Sequence, residues 1–310
     1  MTSISMQKLN QDSFEVLIID NGSTDNTEEI ILSFQNSIKN LRYFYDETPG
    51  LHVGRHIGVR ESKSNLLVFA DDDIIALPSW LEGIWESFQD KKVKMVGGKN
   101  IPHFEQDPPF WLWAEWNKPF KLGKVLFQLS ILDFGDNIFE IDPLYIFGCN
   151  FSIRKDILLN AGGFHPDSMP QDLIRFRGDG ETHVSRYVKS NNLKALYNPK
   201  ASVYHMVSSE RMTQEYFLKR QFNQGVSDSY NHLRNSALKP QSGKSKLSKY
   251  FRILSGIESY HLNKQIIRDL NTPAFFKEMT YYYQEGYNYH QMCYNDYEEV
   301  RNWVHKDNYF

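Results

Sequence analysis

Three consecutive carboxylates follow a predicted buried strand. In "NLLVFADDDI" at 65–74, a largely apolar run leads directly into Asp71, Asp72 and Asp73. Two unit charges about 4 Å apart repel by roughly 4 kcal/mol near a protein surface, so a compensating partner is expected. That partner is a Lys or Arg side chain, the solvent of a polar turn, or a divalent metal, which takes oxygen ligands from carboxylates and substrate phosphates.

A second pair of acids stands just before a predicted helix. Asp179 and Glu181 lie in "GDGE", and the helical pattern "THVSRYV" follows. The helix dipole favours carboxylates at this end, so the pair could simply cap the helix. A carboxylate placed beside a reacting hydroxyl could also act as a general base.

The surrounding pattern predicts elements that would bring these acids to one edge. Strands are predicted at 14–20, 41–46 and 65–70, with a helix at about 27–38 and a glycine-bearing loop and helix between the second and third strands. Such alternation is typical of a parallel α/β sheet, which binds ligands beyond the carboxyl ends of its strands. Asp20 and the Asp triplet both stand at such ends. Three later strands are predicted, at 93–100, directly after a loop at 148–150, and at 194–205.

Composition narrows the class of protein. The 310 residues are 41% hydrophobic and 24% charged, as in an ordinary globular protein, and the net charge of -3 gives no reason to expect a nucleic-acid partner. The sequence shows no run long enough for a membrane span and no signal-peptide core, which predicts a cytoplasmic location. Cys149 and Cys293 lack the spacing of a zinc site or a disulfide framework.

Five motifs in order resemble the family 2 glycosyltransferases. They are "VLIIDNGSTDNT", "PGLHVGRHIGV", "LVFADDDI", "GCNFSIRKDILLNAGGF" and "GDGETHVSRYV", and the resemblance covers about Ser13 to Gly225. It implies the nucleotide-sugar-binding fold called GT-A, an α/β fold with a mostly parallel sheet flanked by helices. Residues 1–228 would form this domain, and residues 229–310 would form a helical C-terminal extension after a polar, basic linker at 235–249.

The resemblance assigns the donor and metal residues. Asp20 would contact the nucleobase or ribose, and Arg55 would face the diphosphate. Asp71 and Asp73 would hold Mn²⁺ or Mg²⁺ against the donor phosphates, and Asp72 would contact the sugar or orient its neighbours. The implied base is Glu181, with Asp179 as the second choice; helix capping is the structural alternative for both.

Four further candidates each have a structural alternative. His205 would complete the metal or phosphate site, or be a satisfied structural residue. Gly148 and Asn150 would lie under the donor sugar, or form a plain turn. Arg211 would contact phosphate, or lie on the solvent-exposed face of a helix.

The family usually has Asn where this chain has His56.

These assignments predict an inverting, metal-dependent glycosyltransferase. It would move a sugar from a nucleoside diphosphate, with UDP as the first choice, to a saccharide or lipid-linked acceptor in surface polysaccharide or lipopolysaccharide synthesis. The alternatives are a non-catalytic nucleotide-sugar- or carbohydrate-binding remnant and a sugar nucleotidyltransferase, although the latter's glycine- and basic-rich triphosphate loop is not seen. The aromatic run "PFWLWAEW" at 109–116 is expected to pack against the sheet, to stack on acceptor sugars, or to make peripheral contact with the inner face of a membrane.

One family element is expected to precede the first motif. Family members usually open with a strand and a nucleotide-contacting loop, whereas this sequence begins at "MTSISMQKLNQDSF", which resembles the end of the following helix. We expect either an upstream native start or a truncated, inactive remnant. The intact later motifs favour the upstream start.

Overall fold

The computed structural model describes residues 1–237 and 273–310, which fall into two compact units. The first unit comprises Met1–Met169, Gly180–Ser209 and Asp307–Phe310; the second comprises Pro170–Asp179 and Glu210–Lys306. The domain boundary predicted at 228/229 falls inside one long helix, Gln214–Ala237, and the predicted division stays a prediction. From residue 238 the predicted linker lies outside the described residues.

The first unit contains three sheets among its described residues. β1 (Val16–Asp20) pairs with β2 (Leu41–Tyr45). The second sheet has the order β3 (Leu66–Ala70), β10 (Asn150–Arg154), β5 (Val93–Gly97), β11 (Lys194–Tyr197) and β9 (Phe139–Glu140). The third has the order β4 (Ile74–Ala76), β12 (Val203–Val207), β6 (Asn100–Phe104), β8 (Ile131–Asp133) and β7 (Lys124–Leu126).

The prediction of a mostly parallel sheet is wrong for these strands. The pairs β1/β2, β5/β11 and β6/β12 are parallel, and the other six described pairs are antiparallel. Apolar periodicity shows that a segment is a strand but carries no information about the direction of its neighbour. The antiparallel partners β4, β7, β8 and β9 are two or three residues long, which is too short for a clear sequence signal.

Two predicted strands are each divided between two sheets. The segment predicted at 93–100 becomes β5 and β6, and the segment predicted at 194–205 becomes β11 and β12. Both segments change sheet at neighbouring positions, where the backbone amide of Asn198 donates to the Gly97 carbonyl at 2.9 Å. A Cβ built on Gly98 would lie 1.8 Å from the Ala201 carbonyl oxygen, so only glycine permits this approach.

Seven α-helices among the described residues of the first unit flank these sheets. They are α1 (Thr2–Ser5), α2 (Thr27–Leu32), α3 (Leu51–Glu61), α4 (Trp80–Ser87), α5 (Phe110–Trp116), α6 (Lys155–Asn160) and α7 (Thr182–Ser190). The helix predicted to reach Ile38 ends at Leu32 and continues as turns.

Two apolar clusters hold the first unit together. The larger is built around fully buried residues such as Met95, Phe151 and Ile153 of the second sheet. In the smaller cluster, Trp80 and Ile84 of α4 group with strand residues such as Val203 of β12. Because β3 and β10 lie within this packed region, the turns at their ends have a rigid base.

The second unit contains α8 (Gln214–Ala237), α9 (Pro273–Asp296) and α10 (Glu298–Val304). α8 runs through Gly225 without a break. A Cβ on Gly225 would lie 2.1 Å from the Tyr283 carbonyl oxygen, and one on Gly286 would lie 2.0 Å from that of Phe222. The two glycines therefore allow the α8 and α9 backbones to come close together. Most of the described part of the predicted C-terminal extension is helical, whereas Asp307–Phe310 is not and belongs to the first unit.

One buried histidine makes the second unit sensitive to acid. His290 of α9 is fully buried, its Nδ1 lies 2.8 Å from the Ser229 hydroxyl, and burial lowers its pKa to about 4. In the unfolded chain the His290 imidazole takes up a proton near pH 6.5. In the folded chain it stays neutral until about pH 4. Between these values stability falls as the pH falls, by about 3 kcal/mol in total. Replacing His290 by Gln should remove that loss from unfolding curves measured from pH 7.5 to 4.5.

The control is a non-titrating change on the same helix. Met292 is 52% exposed, and Met292→Ala should keep the pH dependence of the parent chain. Equal pH dependence in the parent and in His290→Gln would contradict the prediction.

No helix among the described residues is both long and apolar enough to cross a membrane.

Candidate functional site

A buried arginine lies at the centre of the candidate active site. α3 carries Arg55, which is 8% exposed. Its Nη2 donates to Asp71 at 3.3 Å and its Nη1 donates to Glu181 at 3.2 Å. Burial alone would lower the pKa of Arg55, but the charges of Glu181 and Asp71 raise it above its usual value. The arginine thus remains a cation between acids from two distant motifs.

Glu181 is held by both of its carboxylate oxygens. It occupies the N-cap position of α7, and its Oε1 accepts a hydrogen bond from the Gly148 amide at 3.1 Å while Oε2 faces Arg55. The side chain does not cap its own helix. It instead connects the loop at Gly148 to the buried cation, so helix capping does not explain this residue.

The Asp triplet forms the turn between β3 and β4. Asp71 faces Arg55, Asp72 is exposed, and Asp73 Oδ1 lies 3.2 Å from Nε2 of His205. The antiparallel register of β4 and β12 places His205 opposite Ile74, directly after the triplet. His205 therefore lies beside Asp73 of the triplet, and its role at a metal or phosphate site stays a prediction.

The donor atoms suit a hard divalent cation. Mn²⁺ and Mg²⁺ take carboxylate oxygens, and Mn²⁺ also accepts imidazole nitrogen. Adjacent ligands of an octahedral ion with bonds of about 2.1 Å lie about 3 Å apart. Asp73 Oδ1 and His205 Nε2 have nearly this separation, and His205 is 2% exposed and so held in place. Asp73 and His205 therefore fit two ligand positions of the predicted metal. Asp71 lies at the other end of the same turn, where it faces Arg55.

Asp20 is fixed by two hydrogen bonds at the end of β1. Its Oδ1 accepts from the Ser23 amide at 2.8 Å and its Oδ2 from the Tyr43 hydroxyl at 2.7 Å. Desolvation would raise the pKa of Asp20, but these bonds lower it below its ordinary value, and the same contact raises the pKa of Tyr43 to about 12. Tyr43 was not predicted from the sequence, because only the register of β1 and β2 brings it beside Asp20.

The predicted donor contact of Asn150 is not retained. Its amide is 1% exposed, accepts from Trp80 Nε1 at 2.9 Å, and donates to the Ala201 carbonyl and to Asn100. Since these core groups use both ends of the amide, the residue has a structural role. Gly148, two residues earlier, does border Arg55 and Glu181.

Two predicted residues belong to the second unit. Asp179 ends its short segment Pro170–Asp179, and Arg211 lies in the 3-10 turn Glu210–Met212 with its guanidinium 5.8 Å from the Tyr216 ring centroid. Their roles stay predictions.

Comparison with known proteins establishes the class. Residues 1–158, just over half of the chain, match the family described as glycosyl transferase family 2, and the chain belongs to this family. Glycosyltransferase AglE of Haloferax volcanii is 32% identical over 99 residues, which is 32% of this chain and 33% of the relative. The glucosyl-dolichyl phosphate glucuronosyltransferase of the same organism is 22% identical over 217 residues, or 69% and 66% of the two chains. The matches thus span about a third and just under two thirds of these relatives.

Solved structures show the fold. The mannosyltransferase PcManGT from Pyrobaculum calidifontis, in complex with GDP-Man and Mn²⁺, superposes with a TM-score of 0.51 at 14% identity, covering 99% of this chain and 78% of that one. GalNAc-T7 with UDP, GalNAc and Mn²⁺ gives 0.50 at 15% identity, with 87% and 54% covered. The predicted GT-A fold is confirmed.

A single added methyl group should disrupt this site. A Cβ on Gly148 would lie 2.5 Å from Arg55 Nη2 and 2.9 Å from Glu181 Oε1. Because both groups are held by ion pairs, Gly148→Ala must displace them, and a misplacement of about 1 Å costs roughly 10²-fold in rate. We expect a loss of that size in kcat/KM for the nucleotide-sugar donor.

Gly58→Ala is the matched control on α3. Its Cβ would lie 3.8 Å from the Ile19 side chain, an ordinary contact, and alanine is the better helix former. Activity should stay within about twofold, since exposed or roomy substitutions rarely exceed 0.5 kcal/mol. Equal losses in the two variants would contradict the assigned position of the site.

Proposed function

We propose that this chain transfers a sugar from a nucleoside diphosphate to a hydroxyl acceptor, with inversion at the anomeric carbon. The observation that supports this most directly is the ion-paired group of Arg55, Asp71 and Glu181. These residues come from three motifs, and Glu181 stands 126 positions after Arg55. The buried cation can offset the negative charge that builds on a diphosphate leaving group. A neighbouring carboxylate can accept the proton of the acceptor hydroxyl.

The residues divide the chemistry between them. The bond from the anomeric carbon to the phosphate oxygen breaks with its electron pair going to the diphosphate, and a bond from the acceptor oxygen to that carbon forms. Arg55 stabilises the charge on the departing diphosphate. Glu181 takes the proton of the acceptor hydroxyl, with Asp179 as the second choice of base.

Asp71, Asp73 and His205 would hold Mn²⁺ or Mg²⁺. When bound, the cation supplies positive charge to the leaving phosphate. Asp20 would bind the base or ribose through the carboxylate that Tyr43 and Ser23 orient. Asp72, which is exposed in the same turn, remains the proposed contact to the donor sugar. UDP is the first nucleotide to test, and the GDP-Man complex of the structural neighbour makes GDP the second.

The acceptor is proposed to be a saccharide or a lipid-linked sugar, as in surface polysaccharide or lipopolysaccharide synthesis. A relative named for glucosyl-dolichyl phosphate supports this class. So does α5, where Phe110 is 87% and Trp113 is 49% exposed one turn apart, whereas Leu112 and Trp116 are buried. Aromatic side chains on one face are favoured at membrane interfaces, and we propose that α5 makes the peripheral contact predicted at the inner face of a membrane.

Loss of these two aromatics should weaken binding to lipid. Burial of one large apolar side chain contributes about 1.5–3 kcal/mol, and 1.4 kcal/mol is tenfold in affinity. Phe110→Ser with Trp113→Ser should therefore reduce sedimentation with phosphatidylglycerol vesicles by at least about tenfold. The control is Trp85→Ser, because Trp85 is 48% exposed on α4. Equal sedimentation of all three proteins would exclude α5 as the contact.

Release of nucleoside diphosphate tests the activity itself. The chain is incubated with Mn²⁺ and a panel of UDP-, GDP- and dTDP-sugars, with glycans and polyprenyl phosphate sugars as acceptors. We expect release from one donor class that is stimulated by one acceptor class. Absence of release from every donor, together with absence of nucleotide binding, would overturn the proposal.

A further inference from the structure

The last residues of the chain lie against the helix that carries Arg55. Asp307–Phe310, here called the C-terminal segment, belongs to the first unit although it is about 250 positions from α3 in sequence. Tyr309 is 6% exposed. Its ring meets the rings of His52 and His165 edge-on, at centroid distances of 6.1 and 5.5 Å. The segment is therefore anchored in the interior of the first unit.

His56 joins this segment to the core through both ring nitrogens. Nε2 accepts from the Phe164 amide at 2.9 Å, so Nδ1 carries the hydrogen and donates to the Tyr309 carbonyl at 3.0 Å. The ring also stacks on Phe310, with centroids 4.1 Å apart. Burial lowers the pKa of His56 to about 4, which keeps the imidazole neutral, as these two bonds require.

The contact extends from His56 to Arg55 in two ways. The two residues are neighbours on α3, and the Arg55 guanidinium lies 5.2 Å from the centroid of Phe164, whose amide is bound by His56. Phe164 is 1% exposed and belongs to the main apolar cluster. Displacing the C-terminal segment would remove the ring that stacks on His56 and loosen the support of Arg55.

The local backbone is shaped for this approach. Gly163 has φ +81°, and a Cβ there would lie 2.6 Å from the Phe310 ring and 2.7 Å from His56 Nε2. Any larger residue would push the C-terminal segment away.

We propose that Tyr309 and Phe310 are positioning residues for Arg55, acting through His56 and Phe164 to hold the guanidinium at the donor diphosphate. The functional consequence rests on the proposed function; the positioning itself does not. The C-terminal segment would then be part of the donor site's support without touching the donor.

Solvent exchange of the Arg55 guanidinium protons tests the positioning without any ligand. NMR of the full chain resolves arginine side-chain N–H signals, and Arg55→Lys identifies the one to follow. Phe310→Ala and His56→Phe should each raise its exchange rate at least about tenfold, since local opening sets exchange. Arg154, whose Nε donates to the Val93 carbonyl at 2.8 Å elsewhere in the first unit, serves as the internal reference and should not change.

Two further variants separate positioning from general loosening. Tyr297→Ala removes an aromatic ring that is 50% exposed in the second unit, close to the 53% of Phe310, and should leave Arg55 exchange unchanged. Phe310→Tyr keeps the stacked ring and should restore the parent rate. Unchanged Arg55 exchange in Phe310→Ala, or an equal rise at Arg55 and Arg154, would overturn the proposal.

A double-mutant cycle tests the consequence for the donor. Phe310→Ala should weaken binding of UDP or GDP with Mn²⁺ about tenfold in the parent chain, and by less than about twofold in an Arg55→Gln chain, because residues acting through one group are not additive. Equal weakening in both chains would show that the C-terminal segment does not act through Arg55. If the parent chain binds no nucleotide, the proposed function fails, and the exchange rates alone decide the positioning.

Discussion

Replacing Glu181 by Gln is expected to lower kcat by about 10²–10⁴-fold, the contribution typical of a general base. Gln has nearly the same shape and can still accept one hydrogen bond, but it cannot take a proton from the acceptor. The donor is bound by other groups, so its Kd should change by less than about fivefold, or 1 kcal/mol. Steady-state kinetics with the best donor, together with a nucleotide titration, measure both quantities.

The control is a glutamate that forms a surface ion pair. Glu86 of α4 pairs with Lys200 at 2.8 Å, and both side chains are more than 40% exposed. Such pairs contribute little, so Glu86→Gln should keep full activity. A Glu181→Gln enzyme with undiminished kcat would exclude Glu181 as the base and leave Asp179 as the remaining proposal. If the parent chain binds nucleotide-sugar but shows no turnover, it is a binding module rather than an enzyme.

Replacing Asp73 by Asn should remove metal-dependent nucleotide binding. Replacing a residue that only hydrogen-bonds a metal ligand typically lowers metal affinity about 10–100-fold. Replacing a charged ligand itself should therefore lower the affinity for Mn²⁺ by more than about 100-fold. The affinity for Mn²⁺ is measured in the presence of nucleoside diphosphate, from the electron paramagnetic resonance signal of the free ion. Asn keeps the volume of the side chain beside His205, so the turn between β3 and β4 should persist.

The neighbouring residue provides the comparison. Asp72 lies in the same turn but is exposed, and it is assigned to the sugar rather than to the metal. Asp72→Asn should therefore leave Mn²⁺ affinity unchanged while lowering donor turnover. Equal losses of Mn²⁺ affinity in the two variants would show only that the turn needs negative charge, and would contradict a metal site built on Asp73 and His205.

The sequence motifs singled out Arg55, Asp71 and Glu181 as candidates, and the structure brings the three side chains together. Asp71 follows β3 and Glu181 precedes α7, while their chemical roles stay predictions. The Asp73 contact with His205 was also among the predicted possibilities. These residues could be placed because each lies within a few positions of a strongly patterned element.

Other contacts depend on register and tertiary packing, which periodicity does not encode. Tyr43 reaches Asp20 only through the parallel register of β1 and β2, and His56 meets Tyr309 across 253 positions. Asn150 was assigned to the donor by resemblance to the family's motif, but its side chain is buried and bonded to core groups. Four antiparallel partners, β4, β7, β8 and β9, are two to three residues long and gave no usable pattern.

The most direct test of the account is thermal unfolding of the purified chain with UDP, GDP and dTDP, each with and without Mn²⁺. A ligand at 100 times its Kd adds about 2.7 kcal/mol to the free energy of unfolding, which raises Tm by several degrees in a chain of this size. The account predicts such a rise with one nucleotide, only with Mn²⁺, and its loss in Asp73→Asn. A parent chain whose Tm is the same with every nucleotide and metal would contradict a metal-dependent donor site at Asp71, Asp73 and Arg55.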